Sequence, residues 1–385
     1  LDRYPSVPAR RVITLAQLNA VSPGEFVASL GGIFEHSPWV AQRAAAGRPF
    51  ASRLQLLESM RAAVDAASLG EQLALIRAHP KLGGGGPGVS QLTPASAGEQ
   101  RRAGLHSCTA ADGERLQQLN ALYLERFAFP FILAVRGHGP ASIIANLERR
   151  LGNDSEFERR TALSQIGVIA AYRLADMVAS PLGTEILAML EHLARLSGST
   201  AAATGAVTAA VREWMLAAGL EVCEAAGGYL IGRAGGGESS ATLLAGVCRD
   251  PQVNALRYQG RAAFIIAIEV ALQLRQKGER PGLGLAVLAR PDDARLGDSV
   301  SLLDSHAPQL WVELSAADAA DGADAEGIEI LRVLGLAQLR PGVLTRVRQG
   351  VGVAGHGDAN AFTAATAEQA ACALVESLRR VQTAA

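Results

Sequence analysis

RAHPKLGGGGPGVSQLTPASAGEQRRAGL, residues 77–105, is the stretch on which the reading of this chain turns. It holds a histidine pinned by a proline, His79-Pro80, then a glycine-rich loop, then a helix start bearing Ser96, Glu99 and Gln100. A residue before proline avoids helical dihedrals, so a short helix over Glu71–Ala78 must stop there and present His79 at its end. A histidine and a carboxylate twenty positions apart, joined by a loop that folds back, can face one small cavity as a proton-handling pair. A plainer reading uses the same residues: Ser96 with Glu99 fits a capping box, each satisfying backbone N–H groups of a first helical turn. Thr93-Pro94 is the better helix start, since threonine caps and proline takes the first position. In that register Glu99 is free to face a cavity. The run Gly83–Gly86 fits neither P-loop nor dinucleotide spacing and reads as a turn.

Outward from this stretch the pattern is helical. Thr14–Leu18 lead to a helix that opens after Ser22-Pro23-Gly24. FEHSPWV, residues 34–40, is a short break in which His36 is either a site residue or a local capping partner. Ser52–Ala67 carries Leu54, Leu57, Met60 and Val64 at helical spacing. Gln118–Phe127 is helical and runs into FAFPFILAV, whose Pro130 prevents an unbroken helix and can lay apolar surface and backbone amides against a ligand. Further helices span Pro140–Leu151 and Ser155–Val178. The second places Arg173 on an apolar stripe with Ile166, Ile169 and Met177, where an arginine either snorkels at the edge or serves a site.

FEHSPWV, the 77–105 stretch, LNALYLERFAFPFILAVRG (119–137) and AAYRLADMV (170–178) together resemble the OHCU decarboxylases, over about residues 12–179. Those enzymes make allantoin from 2-oxo-4-hydroxy-4-carboxy-5-ureidoimidazoline in urate breakdown. The resemblance implies an all-α domain over residues 1–180 with His79 as acid/base. Glu99 would orient His79 or handle the substrate hydroxyl proton. Pro80, Ser96 and Gln100 would contact the substrate, as would backbone groups at Phe131 and Leu133, with Arg173 as a fixed cation. It also implies neither cofactor nor metal, because the conjugated ring of the ureidoimidazoline can accept the electron pair left by CO₂.

After Ser180-Pro181-Leu182-Gly183 the pattern changes. Helices over Glu185–Leu196, Ala206–Ala217 and Ala262–Gln276 alternate with strands at Glu221–Glu224, Tyr229–Arg233, Thr242–Cys248, Gly284–Leu288, Trp311–Leu314, Ile328–Val333 and Val343–Val347. This predicts an α/β domain with a mixed sheet. AVREWMLAAGLEVCEAAGGYLIGR (210–233), ATLLAGVCRDPQVNALRYQG (241–260), LAVLARPDDARLG (285–297), WVELSAADA (311–319) and GVGVAGHGDANAF (350–362) resemble the di-metal allantoate and N-carbamoyl-amino-acid amidohydrolases, over 184–385. The family's first histidine ligand falls at Cys248, its bridging aspartate at Gln259 and a later histidine at Ser315. Asp250 is kept, Asp292 and Asp293 replace the acidic pair, and the sequence given stops soon after the lid histidine, His356. A di-metal site needs its whole set, so the expectation is a non-catalytic domain with a partial lid from about residue 342. The alternative is a bifunctional enzyme that also hydrolyses allantoate. A wholly non-catalytic assembly or binding protein sits poorly with the intact His79, Ser96, Glu99, Gln100 and Arg173.

Composition sets the outer bounds. A length of 385 residues suits two domains or more, and a net charge of −1 accumulates neither sign, which argues against a nucleic-acid or membrane-surface partner. Cys108, Cys223, Cys248 and Cys372 form no CxxC pair and read as reduced thiols of a cytoplasmic protein. No apolar run reaches membrane-span length, and the start lacks a signal-peptide pattern. The expected partners are therefore the small-molecule substrate and further copies of the chain, in a homodimer or larger homo-oligomer held partly through the lid.

Overall fold

The computed structural model describes residues 12–83, 93–105, 108–196, 200–225, 229–234, 259–278, 285–289, 311–316 and 328–334, together with 368, 371, 372 and 375. The chain divides into two compact units, Ile13–Val178 and a second formed by Leu1–Val12 with Ala179–Ala385.

The first unit is helical: α1 (Leu15–Ala20), α2 (Pro23–Leu30), α3 (Pro38–Ala44), a single 3₁₀ turn at Ala45–Gly47, α4 (Arg53–Asp65), α5 (Leu69–Arg77), α6 (Pro94–Arg102), α7 (Ala110–Phe127), α8 (Pro140–Arg150) and α9 (Ser155–Met177). A strand pair, β1 (Ile13–Thr14) with β2 (Val178–Ala179), brings its two ends together. Most starts are set by side-chain caps, while α3 and α8 lack one and open on Pro38 and Pro140. Ser22 and Glu25 form a capping box on α2, Ser68 and Glu71 another on α5, and Thr93 caps α6 with Pro94 in its first turn. The sequence reading left out α1, which Thr14 and Gln17 close with their own capping box. It also read FEHSPWV as a break throughout, whereas Pro38 starts α3 inside it. Helix α7 begins eight residues before the expected Gln118, where the Thr109 hydroxyl accepts from the Asp112 N–H.

Helix α9 is the unit's axis, with α4 and α5 packed on it. From Ile169 to Ala175 every residue is buried, so the one-sided apolar stripe expected there is in fact burial on all sides. Gly167 permits the close approach of α4: Arg61 Nη2 donates to its carbonyl at 3.0 Å, and a Cβ there would stand 2.9 Å from Arg61 Nε. Near its other end, Glu158 is fully buried and receives Arg150 Nε and Nη2 at 2.8 and 2.6 Å, with the Tyr123 hydroxyl as a third donor. Burial heads the causes that push the Tyr123 phenol pKa upward, so it stays a neutral donor. Arg150 also donates to Ile132 O at 2.7 Å and lies over the Phe131 ring at 4.6 Å. The segment after α7 is thus held from behind by a buried ion pair.

The second unit holds α10 (Leu182–Leu196), α11 (Ala201–Ala217), β3 (Glu221–Ala225), β4 (Tyr229–Ala234), α12 (Gln259–Gln276), β5 (Leu285–Ala289), β6 (Trp311–Ala316) and β7 (Ile328–Leu334). Strands β3-β4-β5 form an antiparallel sheet in which Cys223 faces Ile231 and Ile231 faces Leu288 across the two ladders. β6 and β7 form a separate antiparallel pair, irregular at Glu313/Leu314. Helix α12 packs against α10, α11, β5 and β6, and its face from Phe264 to Ala271 is buried. A mixed sheet was expected, and the strand pairings of this unit among the described residues are antiparallel, a property that alternation along one strand does not encode. The expected strands at Thr242–Cys248 and Val343–Val347, and the lid from about 342, lie outside the described residues. So do Cys248, Asp250, Asp292, Asp293 and His356.

Candidate functional site

Five pieces of the helical unit build one cavity and its support. The end of α5 brings His79 and Pro80, and α6 brings Ser96, Glu99 and Gln100. The extended segment after α7 brings Phe131, Ile132, Leu133 and Val135, followed by Arg136. Helix α9 brings Ile169, Tyr172 and Arg173. All eight residues singled out from the sequence, His79, Pro80, Ser96, Glu99, Gln100, Phe131, Leu133 and Arg173, line this cavity. The fifth piece, the turn between α2 and α3, stands behind the wall.

His79 is buried, and its Nδ1 lies 3.0 Å from the Leu75 carbonyl. A carbonyl oxygen can only accept, so Nδ1 carries the proton of the neutral ring and Nε2 is left as a lone-pair acceptor. Nε2 is buried and has no hydrogen-bond partner among the described residues. Burial lowers the His79 pKa to about 4, against the opposing pull of the Leu75 carbonyl and the Glu35 carboxylate. At neutral pH the site therefore holds an unprotonated imidazole nitrogen.

Arg173 organises the other wall. Its Nε and Nη2 bond Glu99 Oε1 and Oε2 at 3.0 and 3.1 Å. Nη2 also reaches Ser96 Oγ at 3.1 Å, while Nη1 bonds Glu35 Oε2 at 2.8 Å and the Ile33 carbonyl at 3.2 Å. All five N–H groups are thus engaged by the protein. Burial acts to lower the Arg173 pKa, but Glu99 and Glu35 outweigh it and the net direction is upward. Glu99 was expected beside His79; its carboxylate instead grips Arg173, and no bond between Glu99 and His79 is found. Gln100 and Ser96 also bond within the protein. The Gln100 amide accepts from Gly83 N at 3.2 Å and donates to Lys81 O at 3.1 Å, stitching the loop after His79 to α6.

Glu35 is the residue that the sequence reading passed over. It is 2% exposed and accepts from Thr93 Oγ1 at 2.7 Å, from Ser96 Oγ at 3.1 Å and from Arg173. Burial raises its pKa, yet the Arg173 charge and the Thr93 bond win, so the net shift is down. His36, the neighbour given even standing as a site residue, has a left-handed backbone (φ 47°) and an exposed side chain. The turn at His36 sends Glu35 inward and the imidazole outward. Arg136 was also missed, although it closes the quoted FAFPFILAVRG motif. Its Nη2 pairs with Asp176 Oδ2 at 2.6 Å, and its guanidinium lies 4.6 Å from the Tyr172 ring centre.

The family model for OHCU decarboxylase matches residues 19–175. The 2-oxo-4-hydroxy-4-carboxy-5-ureidoimidazoline decarboxylase of Haloferax volcanii is 44% identical over 168 residues, covering 44% of this chain and 98% of that protein. The chain belongs to the OHCU decarboxylase family. The decarboxylase of Amia calva is similar too, 37% identical over 167 residues that span 43% of this chain and 95% of the relative. These matches account for less than half of the chain. A hydantoinase/carbamoylase family amidase from Burkholderia ambifaria is 23% identical in a superposition covering 28% of this chain and 29% of its own, with a TM-score of 0.25, a likeness too slight to decide a fold. Among the described residues no group of three or more His, Cys, Asp or Glu is placed to hold a metal, and no helix is long and apolar enough to cross a membrane.

Proposed function

We infer that the helical unit decarboxylates 2-oxo-4-hydroxy-4-carboxy-5-ureidoimidazoline to allantoin, a carbon–carbon bond cleavage in urate breakdown. The observation that carries this is the His79 Nε2 atom, unprotonated and without a partner among the described residues, in a cavity walled by Phe131, Leu133 and Ile169. Loss of CO₂ leaves an electron pair that flows into the ring carbon–nitrogen double bond, and that nitrogen takes one proton from solvent. The 4-hydroxyl then gives up its proton as the carbonyl of allantoin forms, and the neighbouring ring carbon gains one. A neutral His79 can accept the hydroxyl proton and return it to carbon, serving as base and then acid. Glu99 and Ser96, fixed by Arg173, would meet the ureido and ring N–H groups as acceptors. The test is allantoin formation from freshly generated substrate above the uncatalysed rate, with and without a chelator. A wild-type rate no higher than background would sink this reading.

For residues 184–385 the proposal is a metal-free relative of the di-metal amidohydrolases that serves homo-oligomer assembly. It rests on the sequence: Gln259, where that family carries its bridging aspartate, opens α12, and Ser315, where it carries a histidine, falls in β6. Elemental analysis of the full chain should find substoichiometric metal, and added zinc or manganese should elicit no ammonia from allantoate. Two equivalents of tightly bound metal would make the protein bifunctional.

A further inference from the structure

Buried peptide groups are almost always paired, so one left over in a cavity wall marks a place for a ligand. Leu133 is buried in the wall of the cavity, yet among the described residues neither its N–H nor its C=O has a hydrogen-bond partner. Its neighbours differ. The Ile132 carbonyl accepts from Arg150 Nη1 at 2.7 Å, and the Ala134 N–H donates to Gln165 Oε1 at 3.0 Å. Neither Arg150 nor Gln165 lines the cavity.

Peptide geometry turns these two bonds into an aim. In a trans peptide the C=O of one residue and the N–H of the next share a plane and point in opposite directions. Both peptides of Leu133 are trans. Arg150, by holding the Ile132 carbonyl, therefore directs the Leu133 N–H away from α8. Gln165, by holding the Ala134 N–H, directs the Leu133 C=O away from itself. With both anchors outside the cavity, the two unpaired groups are the ones left to face a ligand. We propose that Gln165 is a positioning residue that aims the Leu133 carbonyl at a ring or ureido N–H of the substrate, an assignment that rests on the decarboxylase reading given above.

Gln165 stands four residues before Ile169 and eight before Arg173 on α9, so one helix sets the Leu133 peptide and the Arg173 cluster against a common frame. Only the oxygen of its amide can face an N–H donor, which fixes how the side chain is turned. Arg150 cannot be altered without stranding the buried Glu158, whereas Gln165 is half-buried and open to substitution. A bond from the Leu133 carbonyl to a ring or ureido N–H lies away from the bond that breaks. It serves substrate and product alike, so its loss shows in binding rather than in turnover.

The experiment compares wild type with Gln165→Met, Gln165→Glu and Gln165→Asn, reading kcat and KM for the ureidoimidazoline, the inhibition constant of added allantoin and the melting temperature. Gln165→Met keeps the length of the side chain and loses the acceptor. It should raise KM and the allantoin constant together by about fivefold to tenfold, the worth of one hydrogen bond, with kcat within about twofold of wild type. Gln165→Glu keeps an oxygen for the Ala134 N–H and should hold both constants within about twofold of wild type. Gln165→Asn, one methylene short, should behave as Gln165→Met does, and it carries the comparison if Gln165→Met does not fold. Wild-type constants in whichever of these two folds overturn the assignment, even if the melting temperature falls, since that marks a purely structural contact. Constants for Gln165→Glu as weak as those for Gln165→Met overturn it too, because the acceptor would then not be what matters. A wild-type enzyme that forms no allantoin would instead overturn the decarboxylase reading, and this assignment with it.

Discussion

Arg173 and Glu99 meet as a fork on a fork: Nε faces Oε1 at 3.0 Å and Nη2 faces Oε2 at 3.1 Å, across 74 residues of sequence. Two parallel bonds fix the carboxylate's plane as well as its distance, which a single ammonium cannot do. Arg173→Lys is therefore expected to lose on the order of a hundredfold in kcat although charge is conserved, because Glu99 and Ser96 are no longer held in place. Steady-state decarboxylation by the variant checks this, and full activity would show that the fork is dispensable.

His79→Ala is expected to lower turnover by about 10² to 10⁴, the usual worth of a positioned acid/base. With its pKa lowered to about 4, kcat/KM of the wild type should stay level from neutral pH downward and fall only as pH passes through about 4. Stability follows the same group. Above pH 6.5 His79 is neutral in both the folded and the unfolded chain. As pH drops from 6.5 towards 4 the unfolded chain takes up a proton that the buried ring refuses, so stability is lost across that window. An acid limb centred near pH 6.5 in the rate profile would contradict the assignment.

Glu35→Gln keeps the side chain's shape and removes its charge. The carboxylate of Glu35 favours protonated His79, so its loss should move the acid limb of the rate profile to lower pH. The same change leaves Arg173 with one carboxylate and should lower the melting temperature measurably. A purely structural Glu35 would change the melting temperature and leave the pH limb where it is.

Glu158→Gln strands Arg150, which is 2% exposed, without its counter-charge. Breaking such a buried pair costs about 3–5 kcal/mol, readable by denaturant titration. Because Arg150 also holds the Ile132 carbonyl, activity per folded molecule should fall as well. A loss below about 1 kcal/mol would mean that the cluster adds little.

Much of this is legible in the sequence. Helix starts written in local chemistry, such as Ser22-Pro23 and Thr93-Pro94, stand where the sequence put them, because a cap is a contact between residues three apart. Helices α1 and α3 escaped because each is under two turns long and shows no full apolar period. The eight cavity residues were within reach through their motifs, but their partners were not. Glu35 lies 138 positions from Arg173, and nothing in FEHSPWV says that the carboxylate rather than the imidazole turns inward. Sheet direction in the second unit was lost for the same reason, since pairing joins segments distant in sequence.

Helix α9 works as a ruler. Glu158, locked between Arg150 and Tyr123, marks one end, and Arg173 stands fifteen residues on, about 22 Å along the axis at 1.5 Å per residue. Deleting one residue between them would turn everything beyond the cut by about 100°. Tyr172, Arg173 and Asp176 would then swing away from the cavity together while the Glu158 anchor stayed fixed. Point substitutions along the exposed face of α9 should be absorbed easily, but a single-residue insertion or deletion there should dismantle the whole wall at once. The length of this helix is thus under tighter constraint than most of its letters.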